Sequence, residues 1–342
     1  MIETTFMRRE IDEIPAAVAR LLKDGRADLR EAAKALRLAK PKFLVTVARG
    51  SSDHAASYLK YATELLIGIP VASIGPSIAS VYQANLVANG GACLAISQSG
   101  KSPDILALMQ MLMATTKPNV VLCNSPNSPL AAMAGHPIDI MAGPEFSIAA
   151  TKSFVSSVVA GLMILAEWKQ DQQLVAALEN LPNHLEQAAK LDWPEFRNRL
   201  AGRGPVLVLG RGPSFAVACE AALKLKETCA IHAEAYSAAE IMHGPLEIVD
   251  QRYTTLCLAA ADGAEAGVIA VADQMVQTGA KTLVTSVRPS AAISVPHVRT
   301  GHSLSDPLAV IVSFYATVER LSRDLGRNPD RPAALKKVTE TT

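Results

Sequence analysis

Three charged side chains stand at helical spacing in a stretch that is otherwise rich in Ala and Leu. Glu220, Lys224 and Glu227 occupy positions i, i+4 and i+7, which places them on one face of a helix. A surface salt bridge is the commoner reason for this spacing. The apolar neighbours favour the other interpretation, because carboxylates among small apolar residues are candidates for proton transfer. Farther along, His243 stands in a His-Gly-Pro turn, as a further acid–base candidate or as an ordinary loop histidine.

A serine-rich turn at residues 97–102 (SQSGKS) lies between a predicted strand and a predicted helix. Ser102 and Pro103 specify the helix start as N-cap and first helical residue. A helix N-terminus offers free N–H groups and a partial positive charge, so the turn is a candidate phosphate site or else a plain capped turn. Ser51 and Ser52 are expected at the same sheet edge, which favours the phosphate. The sequence has no GxxxxGK[ST] motif, so a nucleoside triphosphate is not indicated.

Short apolar runs alternate with helical patterns along most of the chain. The runs that predict buried strands are 43–47, 92–96, 120–123, 138–141, 206–209, 254–258 and 282–285. The helical patterns between them are 53–66, 78–85, 105–115, 151–168, 215–229, 267–278 and 306–325. This alternation predicts parallel sheets covered by helices on both faces.

Two similar turns suggest an internal duplication. Arg49-Gly50-Ser51-Ser52 and Arg211-Gly212-Pro213-Ser214 each follow the first strand of a half and precede a helix. We therefore predict an α/β fold with two tandem doubly wound parallel-sheet domains, each in three αβα layers. The expected segments are an N-terminal helical segment, a first domain, a helical connector interrupted by Pro182 and Pro194, a second domain and a tail, at 1–38, 39–168, 169–203, 204–327 and 328–342.

Composition excludes several classes of partner. The 342 residues include 33 basic and 32 acidic ones, a formal net charge of +1, so neither a nucleic acid nor an anionic membrane is expected as partner. No apolar run is long enough for a bilayer, and no secretory signal is found, so a cytoplasmic location is expected. The five cysteines form no CxxC pair, which favours buried thiols in a reducing compartment over a zinc site.

Several motifs, in order along nearly the whole chain, resemble the sugar isomerase (SIS) domain family. Within it they are most similar to the isomerase half of glutamine–fructose-6-phosphate aminotransferases. The motifs are SQSG at 97–100, IAATKSF at 148–154, GRG at 210–212, ALKLKE at 222–227, IHAEAYSAAEIMHGP at 231–245 and LKKVT at 335–339.

The resemblance implies a role for each matching residue. The side chains that would hold a sugar 6-phosphate are Ser51, Ser52, Ser97, Gln98, Ser99 and Ser102. Ile148 and Ala149 would line the sugar through backbone groups. Glu227 would move the proton between C1 and C2 of the open-chain sugar, with Lys224 beside it as a further catalytic group.

The same resemblance implies roles for two more residues. His243 would assist ring opening and would reach the site from a partner subunit, which implies a homodimer. Lys337 matches the family's tail lysine, which can form an imine with the ketose carbonyl. One carboxylate that reaches both carbons is what this hydrogen transfer needs, so no metal and no cofactor are expected.

Departures from the family pattern narrow the expected reaction. The aminotransferases begin with a glutaminase whose catalytic cysteine follows the initiator Met, whereas position 2 here is Ile2 and the strand at 43–47 already belongs to a sugar domain. Glutamine is therefore not expected as nitrogen donor. Arg49 and Ser51 replace Cys and Thr of the family pattern, and Arg49 either adds charge to the phosphate site or caps the strand end. The tail most resembles the deaminase-type members.

Three functions remain as alternatives. The first is a phosphosugar isomerase/deaminase that converts glucosamine 6-phosphate to fructose 6-phosphate and ammonia. The second is a deglycase for fructosamine 6-phosphates. The third is a non-catalytic sugar-phosphate sensor, which is disfavoured because residues 1–38 are too few for a helix-turn-helix domain and because Glu227, His243 and Lys337 are present.

Overall fold

The computed structural model describes residues 4–335 and 337, which form two compact units. The unit we call N-terminal consists of Ala16–Glu145, Lys152–Glu179 and Lys337. The unit we call C-terminal consists of residues 4–15, Phe146–Thr151 and Asn180–Leu335. Among the described residues, none of the helices combines the length and hydropathy that crossing a bilayer requires.

A five-stranded parallel sheet forms the centre of the N-terminal unit. Its strands are β1 (Leu44–Val47), β2 (Val71–Ser73), β3 (Ala92–Ser97), β4 (Asn119–Cys123) and β5 (His136–Asp139). They are arranged in the order β2–β1–β3–β4–β5. The side chains of β1 and β4 are buried throughout, as expected for inner strands of a parallel sheet that is covered on both faces.

Seven helices precede residue 170 in the described chain. They are α1 (Phe6–Asp24), α2 (Arg26–Ala39), α3 (Ser51–Leu66), α4 (Ser77–Ser80), α5 (Pro103–Met113), α6 (Pro129–Met133) and α7 (Lys152–Lys169). Helix α7 packs against α3 and α2 and is buried along nearly its whole length.

The second sheet repeats the first. Its strands are β6 (Val206–Gly210), β7 (Ala233–Ser237), β8 (Thr254–Leu258), β9 (Lys281–Val284) and β10 (Ile293–Ser294). All pairings are parallel and the order is β7–β6–β8–β9–β10, which matches β2–β1–β3–β4–β5 strand for strand. The remaining helices are α8 (Gln172–Lys190), α9 (Pro194–Leu200), α10 (Pro213–Cys229), α11 (Glu265–Gln277) and α12 (Asp306–Asp324), with 3-10 helices at Glu240–His243 and Pro245–Ile248.

The two turns that suggested duplication have the same backbone conformation. Gly50 precedes α3 with φ +57° and ψ −133°, and Gly212 precedes α10 with φ +59° and ψ −135°. Only glycine adopts such angles without strain, which explains the Gly in both turns. The prediction of two α/β copies with doubly wound parallel sheets is confirmed.

Two predicted elements differ from the structure. The helix predicted at 78–85 is a single turn, Ser77–Ser80, and Gln83 already has a left-handed φ of +48°. The connector is not interrupted at Pro182, because α8 runs through that residue. Pro194 does mark a boundary, as the first residue of α9.

The five cysteines are free thiols, and four of them are buried. Burial raises the pKa of Cys93 to about 12, and burial is also the main reason why the pKa of Cys229 rises to about 11. These thiols therefore stay protonated near neutral pH and act as small apolar groups.

The contact between α7 and α3 depends on a glycine. A Cβ added at Gly161 would lie 2.2 Å from Cδ1 and 2.9 Å from Cγ of the buried Leu59. We expect Gly161→Ala to lower the free energy of unfolding by about 1–3 kcal/mol, because the packed neighbour has to move. Chemical denaturation measures this change.

The control is Gly267→Ala in α11. At this exposed helical position a Cβ meets no described atom within 4 Å. Alanine is the better helix former by about 1 kcal/mol, so this variant is expected to be more stable than the parent. Equal effects of the two substitutions would contradict the packing argument.

Candidate active site

The serine-rich turn, which we call the phosphate cradle, consists of residues 97–102 between β3 and α5. The Ser97 hydroxyl accepts a hydrogen bond from the Gly100 N–H at 3.0 Å, and the Ser99 hydroxyl accepts one from the Lys101 N–H at 3.4 Å. Ser102 is the N-cap of α5, and within the described chain its hydroxyl makes no capping hydrogen bond. The cradle thus offers hydroxyls at a helix N-terminus, as an anion site requires.

Gly100 fixes the cradle to the structure beneath it. Its carbonyl accepts a hydrogen bond from the Leu130 N–H at 3.2 Å, and its φ is +63°. A Cβ at this position would lie 2.1 Å from the Ser128 Oγ and 2.9 Å from the Cys123 Sγ. The close approach and the left-handed φ both require glycine here.

We expect Gly100→Ala to weaken the binding of a hexose 6-phosphate about tenfold or more, because a displaced cradle loses hydrogen bonds to a charged phosphate. Isothermal titration calorimetry with fructose 6-phosphate measures the affinity. Gly68→Ala is the control, since Gly68 has a similar φ of +79° and a Cβ there meets no described atom within 4 Å. A comparable loss of affinity in both variants would show that backbone strain alone causes the effect.

Arg49 connects the end of β1 to the cradle's helix. Its Nε donates to Oδ2 of Asp104, which is fully buried in the first turn of α5. This contact places the Arg49 guanidinium beside the first turn of α5, whose N-terminus forms the end of the cradle. The sequence alone assigned no role to Asp104. An acidic residue directly after the proline at the first helical position was the signal that could have drawn attention to it.

Ser51 and Ser52 form the first turn of α3, immediately after β1. Strand β1 pairs with β3 in parallel, with Val47 opposite Ala95. The carboxyl ends of neighbouring parallel strands lie at one sheet edge, so both predicted hydroxyl groups lie at the same edge of the N-terminal unit.

The C-terminal unit holds the predicted acid–base residues on α10. Lys224 is completely buried, and its Nζ lies 3.4 Å from Oε1 of Glu220 and 2.5 Å from Oε2 of Glu227. The Tyr315 hydroxyl on α12 donates to Glu220 at 3.1 Å. The three side chains therefore do not form a solvated surface salt bridge. Only Glu227 is partly accessible, at 18% of its side chain, against 0% for Glu220.

The charges around Lys224 determine its protonation state. Burial by itself lowers the pKa of Lys224, but the carboxylates of Glu220 and Glu227 outweigh it, so the pKa lies above its ordinary value of 10.5. Lys224 is thus an ammonium group near neutral pH. It places a positive charge 2.5 Å from the carboxylate of Glu227.

The other predicted sugar contacts lie on a loop. Ile148 and Ala149 belong to the segment Phe146–Thr151, which packs with the C-terminal unit. The backbone N–H groups of Phe146 and Ser147 donate to Oε1 of Glu10, the latter at 3.2 Å. No pattern in the sequence indicated that Glu10 supports this loop.

His243 and Lys337 have different surroundings. His243 is exposed at the end of a 3-10 helix, directly before Gly244, whose φ is +136°. Lys337 lies in the N-terminal unit, with its Nζ 3.5 Å from Oε2 of the buried Glu145. Within the described part of the chain, no three His, Cys, Asp or Glu side chains are grouped so as to hold a metal ion.

Comparison with known proteins identifies the family. The SIS domain family matches residues 37–166 and 199–294. The glutamine–fructose-6-phosphate aminotransferase (isomerizing) of Zymomonas mobilis is 29% identical over 359 residues, which covers 97% of this chain and 58% of that protein. The chain therefore spans about half the length of the curated relatives it matches.

Solved structures agree with this assignment. A candidate phosphosugar isomerase from Silicibacter pomeroyi DSS-3 is 54% identical, with a TM-score of 0.93 over 96% of this chain and 100% of that one. The C-terminal domain of glucosamine-fructose-6-phosphate aminotransferase from Francisella tularensis is 27% identical, with a TM-score of 0.86 over 97% and 99%. Because the family matches more than half of the chain, with one match in each sequence half, this protein belongs to the SIS domain family.

Proposed function

We propose that this protein is an isomerase/deaminase that converts glucosamine 6-phosphate and water to fructose 6-phosphate and ammonia. The observation that carries the proposal is the state of Glu227, a partly accessible carboxylate held 2.5 Å from a fully buried ammonium group. The kinship with phosphosugar isomerases supports the reaction type. The likeness of the tail to deaminase-type members supports the amino sugar.

Glu227 would act as the base that moves the proton. After ring opening, its carboxylate removes the hydrogen on C2, which is acidified by the neighbouring C1 aldehyde. The same group returns the proton to C1, so that C1 becomes a CH₂OH group and C2 an imine. Water adds to the C2 imine, the C–N bond breaks, and ammonia leaves as the C2 ketone forms. None of these steps requires a metal or a cofactor.

Lys224 would act through Glu227 and not on the sugar itself. Its ammonium is completely buried, so it is a positioning residue that holds the Glu227 carboxylate in one orientation. A preorganised charge beside a catalytic group costs no rearrangement during the reaction.

The phosphate cradle would bind the 6-phosphate of the substrate. Ser51, Ser52 and the cradle side chains Ser97, Gln98, Ser99 and Ser102 are the proposed ligands of the 6-phosphate, and Ile148 and Ala149 the proposed backbone contacts of the sugar. Anchoring the non-reacting phosphate contributes binding energy that positions C1 and C2.

Two further groups and the assembly complete the proposal. The partner subunit's His243 would protonate the ring oxygen in a homodimer, which agrees with the exposure of His243 in the single chain. Lys337, whose Nζ lies 3.5 Å from Glu145, would form an imine with the C2 carbonyl of the ketose with release of one water molecule, and hydrolysis of that imine would return the lysine and the ketose. The free thiols agree with a cytoplasmic location.

A substrate panel tests the proposal. The purified protein is incubated with glucosamine 6-phosphate, glucose 6-phosphate and an amino-acid conjugate of fructosamine 6-phosphate, and the release of ammonia, ketose and amino acid is followed. Ammonia and fructose 6-phosphate from glucosamine 6-phosphate are the expected products. Turnover of the conjugate alone would indicate a deglycase, and binding of sugar phosphates without any turnover would indicate a sensor.

A further inference from the structure

A groove that the proposed reaction does not use lies in the C-terminal unit. It forms where the first turn of α1, the last turn of α12 and residues 327–331 meet, and it has a volume of about 540 Å³. Four arginines line it: Arg9, Arg323, Arg327 and Arg331. We call it the arginine groove.

The only carboxylate among the described lining residues is engaged by backbone groups. The two oxygens of Asp330 accept hydrogen bonds from the Phe6 N–H at 2.7 Å and the Met7 N–H at 2.8 Å. Asp330 thus caps the N-terminus of α1, where a negative charge is stabilised by the helix dipole.

The four arginines differ in their partners. Arg323 pairs with Glu319 at 2.8 Å. For Arg9, Arg327 and Arg331, no carboxylate within ion-pair distance is found among the residues that the structure describes. Three arginines therefore line one concave surface without a compensating acidic partner in the described chain, and the guanidinium carbon of Arg9 lies 5.6 Å from the centroid of the Phe6 ring.

We propose that the arginine groove binds an oligophosphate, an anion with two or more linked phosphate groups. Guanidinium groups form paired hydrogen bonds with the oxygens of oxyanions, which favours an oxyanion over a simple halide, and linked phosphates offer more charge and more acceptor oxygens to several guanidinium groups than a carboxylate does. The volume lies in the range of small-molecule sites, so a single phosphate would leave most of the groove unfilled. The phosphate groups belong either to an inorganic oligophosphate or to a nucleotide.

Neutralisation of the α12 C-terminus explains only part of this cluster. Basic residues in a last helical turn interact favourably with the helix dipole, and Arg323 occupies that position. Arg9 lies instead in the first turns of α1, and Arg331 lies seven residues beyond the end of α12. Neither residue belongs to the last turn of α12, so the preference for basic residues in a last helical turn does not explain their presence in the groove, and a shared ligand accounts better for it.

Calorimetric titration with inorganic pyrophosphate tests the proposal. We expect saturable binding that weakens with added salt. The double variant Arg327→Gln/Arg331→Gln should bind about a hundredfold more weakly, because each of the two lost charged interactions costs about a factor of ten. Arg252→Gln is the matched control, since Arg252 is an exposed arginine outside the groove, and its affinity should equal that of the parent. If the double variant does not fold, Arg9→Gln replaces it.

The phosphate cradle is the competing site, and a variant separates the two. Ser99→Ala/Ser102→Ala removes cradle hydroxyls and is expected to keep pyrophosphate binding. Loss of binding in this variant with retention in the arginine variant would overturn the proposal, as would the absence of saturable binding to the parent. Titration with ADP distinguishes the source of the phosphates: tighter binding than pyrophosphate supports a nucleotide, and equal affinity supports the phosphate groups alone.

Discussion

Replacing Glu227 by Gln is expected to lower kcat for glucosamine 6-phosphate by a factor of about 10²–10⁴, the usual contribution of a general base. Gln has the same shape but cannot accept the C2 proton. The KM should change little, because the cradle contacts with the phosphate remain. Coupled detection of ammonia gives kcat. Loss of deuterium incorporation at C1 in D₂O, followed by NMR, shows that proton transfer itself has failed.

The control for this variant is Glu186→Gln. Glu186 lies on α8, is 62% exposed and pairs with Lys190, so losing its charge should leave kcat unchanged. Thermal melting of both variants verifies that they are folded. An unchanged kcat in Glu227→Gln, with the parent active, would remove Glu227 from the mechanism and leave the family assignment intact.

The buried strands could be predicted because their composition alone indicates them. Strand β1 reads LVTV and β4 reads NVVLC, and both are buried at every position. The edge strand β7 (AEAYS) was not predicted, since only Ala233 is fully buried and polar residues alternate with small ones. Its place in the sheet comes from backbone pairing with β6, such as Val206 opposite Ala233, which a local pattern does not contain.

Helix α8 shows how burial overrides a local signal. A proline in a helix interior costs about 3 kcal/mol, so Pro182 predicted an interruption. Three leucines of α8, Leu178, Leu181 and Leu185, are completely buried on either side of it. Burying each such side chain contributes about 1.5–3 kcal/mol, which together exceeds the cost of the proline.

For the site, the sequence predicted the spacing of the charges on α10 but not their environment. The buried surroundings of these charges include α12, whose Tyr315 donates to Glu220 from 95 residues farther along the chain. Such distant packing leaves no trace in the local pattern. The Arg49–Asp104 contact was missed for the same reason, since two strand ends must first be aligned in the sheet.

We expect Lys224→Met to lower the free energy of unfolding by about 3–5 kcal/mol, the cost of breaking a buried ion pair from one side. The substitution keeps the apolar volume but removes the ammonium group that lies 3.4 Å from the fully buried carboxylate of Glu220. Chemical denaturation at neutral pH measures the change. Activity is expected to fall as well, since Glu227 loses the group that positions it.

The matched control is Lys190→Met, at a pair of the same i, i+4 spacing. Lys190 lies 2.7 Å from Glu186, but the two side chains are 70% and 62% exposed. Exposed helix pairs contribute only about 0.3–0.5 kcal/mol, so this variant should differ little from the parent. Equal effects of Lys190→Met and Lys224→Met would contradict the argument from burial.

The double variant Lys224→Met/Glu220→Gln separates loss of charge balance from loss of packing. The neutral amide that replaces the Glu220 carboxylate removes the buried negative charge that has lost the Lys224 ammonium, and it can still accept the Tyr315 hydrogen bond, so the double variant should be more stable than Lys224→Met alone.

The pH dependence of the Lys224 contribution to stability has a definite sign. The raised pKa of Lys224 means that its contribution to stability is fully present below the ordinary value of 10.5 and is lost only as pH rises through the higher pKa of the folded state. The stability difference between parent and Lys224→Met should therefore persist across the neutral and mildly alkaline range, whereas a Lys224 that were neutral in the folded protein would make the stability of the parent relative to Lys224→Met rise with pH there.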